Sequence, residues 1–183
     1  PVLILAVALL VAGPTFLSSY WVGLLTQMII FAILAMSLDI LLGYTGLPSL
    51  GHAGIFGVAA YTVAVLSTAY HGGFWACVVG GIVVGTLLSA GFGLLVSHVR
   101  DVYFLMITLA LGMVLWGVSY RWIPVTGGDN GISGIPRLEA QIGLPVTGAV
   151  PFYYVALLVL VACGALMALF VSSPFGFTLR GIR

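Results

Sequence analysis

From Tyr20 to Leu42 the chain carries one charged residue, Asp39, and this run is one of about six like it. Roughly 20 apolar residues span the hydrocarbon core of a bilayer. By that yardstick, spans are predicted at Val2–Leu17, Tyr20–Leu42, Ala53–Ala69, Phe74–Val96, Val102–Trp122 and Pro151–Ser172. The whole chain is 62% hydrophobic and 5% charged, with a mean hydropathy of +1.29, whereas soluble domains are about 25% charged. No soluble fold of this size hides so much apolar surface, so the solvent is lipid. The fold class follows: an all-α, polytopic transmembrane helix bundle, with residues 1–183 forming one domain. Residues 1–17 share apolarity with a signal peptide but lack a basic leader, and more spans follow, so a first transmembrane helix is expected.

The runs on either side of residues 43–54 are broken by Gly43-Tyr44-Thr45-Gly46-Leu47-Pro48-Ser49-Leu50-Gly51-His52-Ala53-Gly54. This stretch is too polar for a lipid-facing helix and too uncharged for an ordinary loop. It is expected to be irregular backbone at membrane depth, which is tolerated only where it is buried in protein or lines a cavity. In transporters such breaks mark the solute path. Asp39 either faces the break and orients its backbone or is an interfacial helix-end carboxylate. His52 either bonds carbonyls freed by the break or touches solute. Asp101 is placed to complement the N-terminus of the span it opens.

Other classes of function are poorly served. An enzyme needs paired titratable groups, an activated nucleophile or a metal cluster. The acids here are Asp39, Asp101, Asp129 and Glu139, and only Asp39 falls within an apolar run. Cys77 and Cys163 both lie in apolar runs and read as small hydrophobes. No metal site and no cofactor are expected. Lysine is absent and the net charge is +1, which argues against nucleic acid as a partner. The glycine-rich segment 127–134 lacks the Lys and Ser/Thr of a phosphate-binding loop, so any ATPase is expected to be another chain.

Gly81, Gly85, Ser89 and Gly93 recur every four residues and form a small-residue stripe along the span at 74–96. Such stripes let a second helix approach closely in lipid, here within the chain or across a subunit interface, with packing within the chain favoured. Ala53 and Gly57, then Ala60 and Ala64, repeat the pattern more weakly, as do Gly164 and Ala168. If the C-terminal end is cytoplasmic, Arg100, Arg180 and Arg183 lie inside and Arg121 and Arg137 outside, a weak positive-inside bias. Charge alone is also compatible with the reverse orientation.

Several blocks, in order, resemble bacterial branched-chain amino-acid ABC permeases. They are Leu38–Gly46, Ser49–Ala53 with Gly57 and Ala60-Tyr61-Thr62, then Tyr103-Phe104 with Thr108-Leu109-Ala110. Thr126-Gly127-Gly128 with Asn130–Pro136 follows, and Ser173–Gly176 with Leu179–Arg183 completes the set. The long Thr-Gly-Gly loop is similar to that of the M-type subunit. The resemblance implies a multi-pass chain in the bacterial inner membrane, in contact with lipid and paired with a second permease subunit. It further implies cytoplasmic ATP-binding subunits and a periplasmic solute-binding protein. This chain would form half of an alternating-access conduit and catalyse no covalent chemistry. Gly43, Tyr44, Gly46, Ser49, Gly51, His52, Asp39 and Thr108 are then expected along the substrate path. Thr126, Gly127, Gly128, Asn130 and Gly131 are expected in a docking loop for the binding protein. Asp39 stands where the family often has Asn, and Arg100-Asp101 replaces a more basic turn. The sequence stops at Arg183, before the expected coupling helix and later spans, so a truncated permease is expected. Close relatives of the family carry urea and short amides, and the motifs do not separate those solutes from amino acids. A membrane enzyme and a structural scaffold are the more distant alternatives.

Overall fold

A computed structural model describes residues 13–14, 17–99, 101–135, 148–174, 176 and 178. The predicted first span, Arg100, Arg137, Glu139 and the C-terminal Leu179–Arg183 block lie outside the described residues or almost wholly so, as does the Asp101 side chain. Among the described residues the elements are α1 (Ser19–Asp39), a π-helical continuation (Ile40–Thr45), α2 (His52–Thr68), α3 (Phe74–Val96), α4 (Asp101–Arg121), a short α5 (Ile123–Thr126), a 3-10 turn (Gly128–Asn130) and α6 (Ala149–Ser172). No strand occurs among them.

Four of these helical stretches are long and apolar enough to cross a membrane: Ser19–Thr45, Phe74–Val96, Val102–Arg121 and Ala149–Ser172. The 17 residues of α2 are about 26 Å long at 1.5 Å per residue, just short of a ~30 Å hydrocarbon core. Large apolar side chains such as Leu87, Leu94, Met106, Val114 and Leu158 point outward, as lipid-facing positions must when the helices are apolar on every side. With about six spans expected, the helical bundle agrees with the reading of the sequence.

Two packing units make up the bundle. In the first, α1 and α6 run parallel: Val22 and Ile29 cluster with Tyr153, Ala156 and Leu157, all buried. α6 begins at Ala149, two residues earlier than the apolar run suggests, because Pro151 falls in its first turn, where a missing N–H breaks no helical bond. In the second unit α2 packs against α3 and α4. The α2–α3 contact is antiparallel, with Gly80 against Leu66, Gly81 against Val63 and Gly85 against Ala59. It follows the turn at His71, whose φ of 47° is one that His tolerates better than most residues. α2 and α4 run parallel, since Gly51 meets Thr108 and Gly54 meets Gly112. One end of the bundle therefore gathers the starts of α2 and α4 and the ends of α1, α3 and α6. The other end gathers the α2–α3 turn, the end of α4 and the starts of α1 and α6.

The small-residue stripe of α3 divides along its length. Gly81 and Gly85 pack on α2, whereas Ser89 and Gly93 are exposed, and a Cβ at Gly93 would meet nothing within 4 Å. The Ser89 hydroxyl donates back to the Gly85 carbonyl at 2.8 Å.

Candidate functional site: the break and the cleft beside it

The irregular backbone is shorter than the sequence suggests, spanning residues 46–51 rather than 43–54. Gly43, Tyr44 and Thr45 stay helical because the helix widens into π geometry instead of stopping, a device common at functional sites. The widened end turns on the Leu41 carbonyl. It accepts the Thr45 hydroxyl, the Gly46 N–H and the Leu47 N–H, the last at 3.1 Å. Gly46 ends the helix at φ 73°, a left-handed conformation that glycine enters without penalty.

The far end of the break is fixed to α4. The Leu50 N–H donates to the Thr108 hydroxyl at 3.2 Å, and that hydroxyl donates to the Leu105 carbonyl at 3.0 Å. Both Gly51 and Thr108 are buried. A Cβ built on Gly51 would stand 2.8 Å from the Thr108 carbonyl oxygen and 3.3 Å from Phe92 Cε2, so only glycine allows this approach. The Gly51 carbonyl accepts the first N–H bonds of α2, from Gly54 at 3.0 Å and Ile55 at 3.3 Å. His52 turns the other way and joins α1, with Nε2 2.7 Å from the Ser37 hydroxyl.

The expected pathway residues thus separate into four places. Gly51 and Thr108 meet at the α2–α4 contact, with half-buried Ser49 in the irregular segment leading to it. His52 bridges α2 to α1. Asp39 is exposed, and its Oδ1 lies 2.8 Å from where a Cβ of Gly43 would be, so this carboxylate folds over the π segment. Tyr44 lines a different, shallow pocket against α6, shared with Gly164 and Ala168.

Successive glycines of α2 find the space beside α4 widening from the break outward. Gly51 touches the Thr108 backbone. One turn on, a Cβ at Gly54 would be 3.1 Å from Leu115 Cδ1 and 3.4 Å from Gly112 Cα. A further turn on, a Cβ at Gly57 would meet nothing within 4 Å. The arms of this V flank an open cleft of about 530 Å³ that runs from Leu50 to Gly128 and Asp129. Its walls include Tyr61, Leu109, Met113 and the Trp116–Tyr120 pair, whose rings stack at 5.4 Å and 19°. Asp129 is the one charged residue among those lining it. Sequence reasoning did not find this cleft. Its signal was Gly54 and Gly57 on one helix and Gly112 on another, but which glycines make contact and which leave space depends on the crossing geometry.

The expected docking loop is partly internal. Thr126 and Gly128 are buried, while Asp129 and Asn130 are exposed. The Thr126 hydroxyl reaches the Ser119 and Trp122 carbonyls and accepts the Gly128 N–H at 3.2 Å. This ties the Thr-Gly-Gly turn to the end of α4.

The profile of the family described as "Branched-chain amino acid transport system / permease component" matches residues 20–183. The chain belongs to this permease family. Two curated relatives are named "High-affinity branched-chain amino acid transport system permease protein LivM". The Escherichia coli K12 protein is 35% identical over 138 residues, 74% of this chain and 32% of the relative. The Salmonella typhimurium LT2 protein is 35% identical over 131 residues, 69% of this chain and 30% of the relative. The permease chain spans about a third of the length of these relatives. No solved structure matches it. The break, the cleft and the Thr-Gly-Gly turn all fall within the segment that the family profile covers.

Proposed function

We propose that this chain is the M-type permease subunit of an ABC importer that carries branched-chain amino acids across the bacterial inner membrane. The observation that carries the reading is the family match through residues 20–183, joined to 35% identity with proteins named as branched-chain amino-acid permeases. The chain supplies half of the conduit and performs no covalent chemistry. Its partners are a second permease subunit, cytoplasmic ATP-binding subunits that hydrolyse ATP, and a periplasmic solute-binding protein. The end of the bundle bearing Asp129 faces the periplasm, and the break lies toward the cytoplasm. Asn130 is the exposed part of the Thr-Gly-Gly turn that meets the binding protein, whereas Thr126 and Gly128 shape the turn from within. His52 and Asp39 hold the break in place rather than contact solute.

The test is uptake of radiolabelled leucine, isoleucine and valine by cells lacking their own branched-chain importer. The full permease gene is expressed with its ATP-binding and solute-binding partners. Binding-protein-dependent uptake should rise at least tenfold over cells without the permease. Uptake of urea in place of the three amino acids, or no uptake with all partners present, overturns the reading.

A further inference from the structure

We propose that the V-shaped cleft between α2 and α4 is the passage for an aliphatic amino acid, entered past the Asp129 carboxylate and shut at its vertex by the break. The inference rests on the permease reading above and gives that reading a location.

The chemistry of the lining selects the occupant. A zwitterionic amino acid presents an ammonium group, and the single charged group of the cleft is the carboxylate at its mouth. The stacked rings of Trp116 and Tyr120 stand next, where a π face attracts a cation and also covers an alkyl chain. Beyond them Met113, Leu109 and Leu50 offer an apolar wall to the side chain. A volume of about 530 Å³ lies within the roughly 300–1,000 Å³ of small-molecule sites. A neutral amide such as urea would draw nothing from the charge at the mouth and little from the apolar wall.

The glycines account for the space. A glycine inside a helix destabilises it relative to alanine. At Gly51 a close backbone neighbour demands glycine, but at Gly57 no atom lies within 4 Å of the missing Cβ. What Gly57 preserves is therefore open volume between the arms. The vertex is closed by backbone rather than by a bulky plug: Gly51 rests on the Thr108 carbonyl, and the Leu50 N–H is held by the Thr108 hydroxyl. Parting α2 from α4 at this point would extend the cleft past the break.

The experiment uses the assembled importer in proteoliposomes, with labelled leucine and saturating binding protein. Gly57→Leu should lower the maximal uptake rate at least tenfold. Gly117→Leu, on α4 outside the cleft and with no atom within 4 Å of its Cβ, should keep at least half of it. Asp129→Asn should lower the maximal rate severalfold without changing the binding-protein concentration that gives half-maximal uptake, and Asp129→Glu should restore the rate. Wild-type uptake by Gly57→Leu overturns the passage. A raised binding-protein requirement at unchanged maximal rate in Asp129→Asn assigns that carboxylate to docking and overturns the mouth. Wild-type importer that moves no leucine refutes the permease reading itself, and the passage falls with it. Should Gly57→Leu fail to assemble, Gly57→Cys with Cys77 and Cys163 replaced by Ser provides the second measurement. A membrane-impermeant cationic thiol reagent should modify it from the Asp129 side, and absence of modification overturns the proposal.

Discussion

Replacing Gly51 by Ala tests whether the α2–α4 vertex is as close as the structure places it. The new methyl would lie 2.8 Å from the Thr108 carbonyl oxygen, and that oxygen belongs to backbone and cannot rotate away. Ordinary contact begins near 3.4 Å, so α2 and α4 must part. Their separation also stretches the Leu50 N–H bond to Thr108, already 3.2 Å long, toward the distance where it ceases to be a bond. Overpacking of this kind costs about 1–3 kcal/mol, and the weakened hydrogen bond adds about 0.5–1.5 kcal/mol. Against that, Ala for Gly at a helical φ of −81° restricts the unfolded chain and returns about 0.4–1 kcal/mol. The net expectation is a loss of about 2 kcal/mol, within bounds of about 0.5 and 4 kcal/mol. Gly57→Ala, two turns along the same helix, meets no neighbour and should gain about 0.4–1 kcal/mol. Thermal unfolding of the purified full chain in one detergent is the assay. At about 2–4 °C per kcal/mol, Gly51→Ala should melt several degrees below wild type and Gly57→Ala slightly above it. Gly51→Ala melting at or above the wild-type temperature would refute the close approach, and with it the vertex.

The same assay separates the two halves of the α3 stripe. Gly81→Leu drives into Val63, 2.9 Å from its Cβ, and should cost about 1–3 kcal/mol, whereas Gly93→Leu, with open space around it, should leave the melting temperature unchanged or raise it. Equal effects would mean that the stripe does not divide. Thr126→Val leaves the buried Gly128 N–H without its acceptor at a cost of about 1–3 kcal/mol, and amide exchange at Gly128 should accelerate while exchange along α1 stays as it was.

Much of the architecture was legible because length and apolarity decide it. Phe74–Val96 runs from end to end as the sequence reads, bounded by Gly73 and Ser97. The break was legible in position but not in extent. Gly43 and Thr45 look like loop residues, yet the Thr45 hydroxyl bonds back to Leu41 and the Asp39 carboxylate covers Gly43, so both stay in a widened helix. Nothing in local sequence separates a glycine that ends a helix from one that makes room for a neighbouring side chain. The partnership of Thr108 with the break joins residues 58 positions apart. Periodicity carries no such information, and only the family resemblance placed Thr108 near the solute path. The cleft was illegible for the same reason. Gly54 read as the end of the break and Gly57 as a small packing residue, and only the way α2 sits on α4 makes the first a contact and the second a space.

How the break satisfies its polar groups limits how it can move. Backbone at membrane depth must find partners within the protein. Pro48 brings no N–H to satisfy. Gly46 and Leu47 donate to Leu41, which fixes one end of the break to α1. Leu50 donates to Thr108, which fixes the other end to α4. The His52–Ser37 bond then ties the start of α2 to α1 as well. A shift of α2 that kept its tie to α1 would therefore break the Leu50–Thr108 bond first. The lost partner is a side-chain hydroxyl, which keeps its own bond to the Leu105 carbonyl, while the Leu50 N–H would need a substitute acceptor such as water or a polar solute. Opening at the vertex is thus cheapest when something polar is present to replace Thr108. That condition couples the break to occupancy of the cleft more directly than a loosening of the whole segment would.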